Sequence, residues 1–139
     1  MKFSVVNKDL FRSRDKDSYI VHCISADYVI NGEISEAINR RHDLIDRLIE
    51  SVGYREYPDC ILLDNILTLV IKQTAKDVSS YDDMENALKK MRDIIEDKNI
   101  KDIVMPPIGC GKDGLGWTKV HRIIRKVLGY LDIKVTVYY

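Results

Sequence analysis

Apolar positions along the chain recur with two periods, and their alternation sets the order of the elements. Lys2–Val6 is a short β-prone run closed by a turn at Asn7-Lys8-Asp9, and Tyr19–Ile24 is nearly continuous in apolar residues, as a strand buried on both faces is. Helical spacing follows. Ile34, Ala37 and Ile38 share one face; Leu44, Ile45, Leu48, Ile49 and Val52 share a second, with Asp43 in its first turn and Gly53 as its stop. Cys60–Leu63 and Ile66–Ile71 read as a strand pair joined by a hairpin-type turn at Asp64-Asn65. Ser80-x-x-Asp83 resembles a capping box. Behind it Met84, Ala87, Leu88, Met91, Ile94 and Ile95 form the core stripe of a helix that ends at Lys98-Asn99. Ile103-Val104-Met105 is a short buried strand. Trp117, Val120, Ile124, Val127, Leu128 and Leu131 make the last helical face, and Ile133–Tyr138 alternates apolar and polar residues as a half-exposed edge strand does. Strands interleaved with helices predict an α/β fold, with a mixed sheet of about six strands between helices, as one domain over residues 1–139.

Between the short strand and the last helix lies the stretch with candidate chemistry, Met105-Pro-Pro-Ile-Gly-Cys-Gly-Lys-Asp-Gly-Leu-Gly-Trp117. Pro106 and Pro107 have no N–H to donate, so they end the strand. Gly109, Gly111, Gly114 and Gly116 follow before Trp117. Strand, glycine-rich loop and helix is an arrangement that aims backbone N–H groups at an anion, and glycine lets a pyrophosphate approach closely. The spacing is neither GxxxxGK[ST] nor GxGxxG. Lys112 reads either as a phosphate clamp or as a solvated loop tip. Asp113 tells more: a carboxylate beside an anion cradle is electrostatically awkward, which suggests general-base work or binding of a ribose hydroxyl. Ser25–Glu33, Lys72–Thr74 and Ile108–Gly116 all follow strands, and ligands of open α/β sheets sit beyond the strand carboxyl ends.

Composition narrows the options without adding a site. Lys plus Arg equals Asp plus Glu at 22 each, so no overall field draws nucleic acid or membrane, and an anion must be caught by local geometry. Cys23, Cys60 and Cys110 are odd in number and widely spaced, which fits reduced thiols in the cytoplasm and argues against zinc. No apolar run approaches membrane-spanning length. His22 in its apolar strand reads as a satisfied core residue, and His42 and His121 as helix-surface residues. Cys110 would need an activating base to act as a nucleophile; His22 could serve, but nothing in the sequence places the two together. The expectation is an intracellular monomer without cofactor or metal, in the cytoplasm, or the nucleus if the source is eukaryotic.

Val6-Asn-Lys-Asp-Leu-Phe11, His22-Cys-Ile-Ser-Ala-Asp27, the glycine-rich stretch and the ending Asp132-Ile-Lys-Val-Thr-Val-Tyr138 together resemble the macro domain family, nearest its terminal ADP-ribose protein glycohydrolase subgroup. The resemblance runs over essentially the whole chain in order. It implies a three-layer α/β/α fold and ADP-ribose, or an ADP-ribosylated protein or metabolite, as the partner. Asp9 takes the position of the aspartate that hydrogen-bonds the adenine amino group, with the Leu10 backbone beside it. Ser25, Asn31, Gly32 and Glu33 fall in the first binding loop; Ile108, Gly109, Cys110, Gly111 and Lys112 become the diphosphate and distal-ribose loop. Asp113 matches the subgroup's catalytic aspartate. In that subgroup a lysine attacks the anomeric carbon of the distal ribose and releases a glutamyl ester. Aligning Tyr81 with the subgroup's tyrosine puts Gln73 at the lysine position and Lys72 one residue earlier. Adjacent strand residues face opposite sides, so Lys72 can replace the lysine only if the register slips or the strand has ended. Glu33 also stands where relatives carry glycine, where it either crowds the ribose or adds a second carboxylate.

Three functions are therefore expected in competition. The first is hydrolysis of ADP-ribosyl esters on proteins or of O-acyl-ADP-ribose. The second is removal of phosphate from ADP-ribose 1''-phosphate, and the third is a non-catalytic ADP-ribose reader. With Gln73 at the lysine position, the sequence favours water directed by Asp113 over Lys72 as nucleophile.

Overall fold

A computed structural model of the chain describes residues 1–53 and 56–139. Its strands are β1 (Lys2–Val6), β2 (Tyr19–Ser25), β3 (Asp59–Leu63), β4 (Ile66–Lys72), β5 (Asp102–Met105) and β6 (Lys134–Tyr138), in the six-stranded order β1-β6-β5-β2-β4-β3. Every pairing is parallel except β3 with β4, so the sheet is mixed. The helices are α1 (Leu10–Ser13), α2 (Glu33–His42), α3 (Leu44–Ser51), α4 (Tyr81–Lys98) and α5 (Trp117–Leu128).

Strand alternation divides the core in two. Val21, Leu67, Leu69, Ile71, Ile103 and Met105 face α4 and α5, where Met84, Leu88, Met91, Ile95, Val120 and Ile124 meet them. Ile20, Ile24, Ile66, Val70 and Val104 face the other way, onto Leu10, Ile38, Leu44 and Leu48. Each such side chain removed from water contributes roughly 1.5–3 kcal/mol, so the two apolar layers hold the helices against the sheet. The three-layer α/β/α arrangement follows. α4 starts at a local signal: the Ser80 hydroxyl accepts from Asp83 N–H at 3.0 Å, a cap worth about 1 kcal/mol. Among the described residues no helix is long and apolar enough to cross a membrane.

Two local expectations change. Ile133–Tyr138 was expected at an edge, but β6 lies between β1 and β5, and β1 and β3 form the edges. Its polar alternation misleads because Thr136, at 6% exposure, is covered. Asp43 adopts φ 52°, ψ 45° and joins the end of α2 to the start of α3, and its side chain makes no capping bond.

Candidate functional site

The strands β2, β4 and β5 end on the same side of the sheet, and the loops that leave them enclose a cavity of about 360 Å³. One wall is the segment from Asn31 to Ser35 at the start of α2, the other runs from Pro106 to Asp113, and His22 and Cys23 line it from the sheet. Gly32 closes the first wall with φ 133°, a conformation that side chains disfavour, and a Cβ there would meet nothing within 4 Å.

The glycine-rich loop is pinned from within. Leu115 N–H donates to Gly109 O at 2.8 Å, Gly114 N–H to Gly111 O at 3.1 Å, and Gly116 N–H to the Tyr81 hydroxyl at 3.0 Å. Gly109 is at φ 73°, and a Cβ on it would lie 2.6 Å from Met84 Cε. Close packing thus accounts for this glycine without a ligand. Gly111 differs, because a Cβ there would meet nothing within 4 Å and the residue lines the cavity. The N–H groups of Gly111 and Lys112 donate to no protein acceptor among the described residues. With those of Ile108 and Asp113, they are the donors the loop has left for an anion.

Beside this loop lies a buried ion pair. Lys72 Nζ is 2.7 Å from Asp113 Oδ1, with the lysine side chain 3% exposed and the aspartate 19%. The backbone explains how Lys72 gets there. Ile24 pairs with Val70, but the next residue, Ser25, pairs with Lys72, so β4 holds one extra residue at Ile71. This bulge puts Lys72 where parity would have put Ile71, on the face that looks towards α4 and the glycine-rich loop. The register slip that Lys72 required is present. Gln73, which sequence alignment puts at the lysine position, is exposed, and neither it nor Lys72 lines the cavity, which Lys72 meets through Asp113. Lys72 Nζ also donates to Asp77 O at 3.0 Å and Ala75 O at 3.2 Å, so all three ammonium protons have acceptors.

The remaining candidates divide between the cavity and its surroundings. Glu33, Ile108, Gly109, Cys110 and Lys112 line the cavity, and Glu33 and Lys112 are exposed. Glu33 is the first residue of α2, at the rim of the cavity, and is exposed. Ser25 is buried and its hydroxyl donates to Asp27 Oδ1 at 2.5 Å, so it supports a loop rather than lining the cavity. Asp9 caps α1 by accepting from Arg12 N–H at 3.0 Å, Leu10 is buried, and neither lines the cavity. His22 is 1% exposed. Ser35 Oγ gives its proton to Cys23 O, so it accepts from His22 Nδ1–H at 2.9 Å, and Thr68 Oγ1–H donates to Nε2 at 2.8 Å. Burial lowers the His22 pKa to about 3, so the ring is a neutral strut. Burial, and then the Asp113 charge, raise the pKa of Cys110 and of Cys23, which favours the thiol over the nucleophilic thiolate at both. Sequence reasoning missed the carbonyls of Ala75 and Asp77 that hold Lys72, and no side-chain pattern announces a backbone acceptor.

The family pattern described as "Macro domain" matches residues 65–124. The protein named ADP-ribose glycohydrolase OARD1 from Bos taurus is 30% identical over 139 residues, covering 99% of this chain and 91% of that one. Its Homo sapiens counterpart of the same name is 29% identical with the same coverage. Among solved structures, the macrodomain of Mycobacterium tuberculosis DarG superposes with a TM-score of 0.84 at 18% identity, covering 98% of this chain and 96% of that one. Thermosipho africanus DarTG in complex with ADP-ribose gives 0.80 at 20% identity, covering 99% of this chain and 41% of that one.

Proposed function

The chain belongs to the macro domain family, and we propose that it binds ADP-ribose and hydrolyses ADP-ribosyl esters at the anomeric carbon of the distal ribose. The observation that carries this reading is the Lys72–Asp113 pair at 2.7 Å, set beside a glycine-rich loop with undonated N–H groups. The diphosphate takes the N–H groups of Gly111 and Lys112, and the distal ribose enters the cavity between Gly32 and Gly109. Asp9 offers its carboxylate to the adenine amino group, as in the family resemblance.

The geometry moves the preferred route from water to lysine. An ammonium has no lone pair, so Lys72 must first lose a proton, and Asp113 is the acceptor in contact. The neutral amine keeps two N–H groups, which stay on Ala75 O and Asp77 O. Its lone pair then points along the vacated third direction, towards Asp113 and the cavity that Asp113 lines. From there it attacks the anomeric carbon: a C–N bond forms as the ester C–O bond breaks, and the carboxylate leaves. The ribose ring then opens as Asp113 carries one proton from the adduct nitrogen to the ring oxygen, giving an iminium that hydride can reduce; water adds to its carbon, the C–N bond breaks and the amine is regenerated. A neutral reader module does not need a buried lysine held by three acceptors.

A panel of three substrates tests the function: a protein-linked ADP-ribosyl glutamate ester, O-acetyl-ADP-ribose and ADP-ribose 1''-phosphate. Release of ADP-ribose from the esters is expected, with no phosphate from the third. Phosphate release alone would replace this reading with the phosphatase, and no turnover on any substrate would leave the reader.

A further inference from the structure

Next to the catalytic cavity lies a second cleft, of about 510 Å³, that the reaction just described does not use. Val29, Ile30 and Ala75 give it apolar walls, and Asn31 is shared between cleft and cavity. Val29 is 53% exposed at the mouth of the cleft. The walls are preorganised. Asp27 Oδ1 accepts from Ser25 Oγ at 2.5 Å and Val29 N–H at 3.1 Å, while Oδ2 accepts from Ala75 N–H at 3.2 Å. Burial works against the charge, but these hydrogen bonds outweigh it and lower the Asp27 pKa, so the carboxylate is ionised and committed to the loop. That leaves Lys76 as the one charge of the cleft without an acidic partner among the described residues.

The cleft is joined to the chemistry through one atom. Ala75 O accepts from Asn31 Nδ2 at 3.2 Å on one side and from Lys72 Nζ at 3.2 Å on the other. A substrate with its anomeric carbon near Lys72 therefore has its departing half within reach of this cleft. An acetyl group does not need such a volume, since drug-sized ligands occupy pockets of roughly 300–1,000 Å³.

Resting on the function proposed above, we infer that the cleft is the subsite for the polypeptide half of the ester. It takes an apolar side chain against Val29 and Ile30 and a second carboxylate, beside the modified one, on Lys76. This chemistry selects acidic peptide segments with an apolar neighbour over small acyl esters.

The experiment compares kcat/KM on three ADP-ribosyl esters: a peptide with Leu and Glu beside the modified glutamate, the same peptide with Gly and Ser there, and O-acetyl-ADP-ribose. The wild type is expected to prefer the Leu/Glu peptide over the Gly/Ser peptide by about tenfold or more. Val29→Asp with Lys76→Glu, both at exposed positions, is expected to bring that ratio close to one. Turnover of O-acetyl-ADP-ribose and calorimetric affinity for free ADP-ribose are expected to stay as in the wild type. Equal turnover of the two peptides by the wild type, or a preference that survives the double substitution, would overturn the subsite while leaving the function intact. No turnover of any ester would overturn the function and the subsite with it. A parallel fall on all three esters would show that the cleft serves the fold or the cavity rather than the peptide.

Discussion

Removing Asp113 and removing Lys72 are expected to have unequal effects on stability, because the two charges are buried to different depths. At 2.7 Å and an effective dielectric near 20, the gross attraction is about 6 kcal/mol, most of which offsets desolvation. In Asp113→Ala the ammonium, 3% exposed in the wild type, keeps two carbonyls and loses its counter-charge. Losing one partner of a fully buried pair costs roughly 3–5 kcal/mol. The aspartate side is 19% exposed and admits water, so about 2–3 kcal/mol is the better figure here. In Lys72→Met the buried charge itself is gone, and Asp113 rehydrates from the cavity. Asp77 O loses a donor while Ala75 O keeps Asn31, so about 1–2 kcal/mol is expected. The double variant should cost clearly less than the sum, because Met without Asp113 leaves no orphaned charge. Urea unfolding of the four proteins at pH 7 measures each term, with equal m-values as the check on two-state behaviour. The reasoning fails if Lys72→Met is as costly as Asp113→Ala, or if the two effects add.

Two further substitutions reach other parts of the account. Gly111→Val should leave unfolding free energy nearly unchanged, since its Cβ enters open space, but should abolish the thermal shift produced by ADP-ribose; a wild-type shift would put the diphosphate elsewhere. His22 has a folded pKa of about 3 against about 6.5 unfolded, so the unfolded chain takes up its proton first as pH falls. The stability this represents is complete above pH 6.5 and is lost on the way down to pH 3, by up to about 5 kcal/mol. His22→Gln should flatten this part of the stability–pH profile, and an unchanged slope would assign the acid sensitivity to the carboxylates.

How legible the fold was depended on whether a feature is local. Runs such as Ile66–Ile71 and stripes such as Met84 to Ile95 carry their own period, and the structure forms the corresponding strand and helix. The place of β6 in the sheet could not be read this way. Its pattern records one strand's faces, whereas strand order depends on β1 pairing with it from the far end of the chain. The glycine-rich loop was legible as an anion cradle, though not the division of labour within it: Gly109 is required by Met84 and Leu115, while Gly111 opens on the cavity. Lys72 was the hardest. Aligning Tyr81 puts Gln73 at the lysine position, strand parity turns Lys72 away from it, and only the bulge at Ile71 brings Lys72 onto Asp113. A bulge is a two-strand property, so β4 alone does not reveal it.

If lysine carries the reaction, the Lys72 amine bonds to the distal ribose during turnover. Wild type, Lys72→Ala and Asp113→Ala are each mixed with an ADP-ribosyl glutamate ester under a mild hydride reductant, and intact mass and peptide mapping follow. A reduced ADP-ribosyl adduct mapped to Lys72 is expected in the wild type, none in Lys72→Ala, and little in Asp113→Ala, where the amine has lost its proton acceptor. Ester turnover by the wild type with no adduct, and with Lys72→Ala still active, would contradict the lysine route and return the reaction to water directed by Asp113.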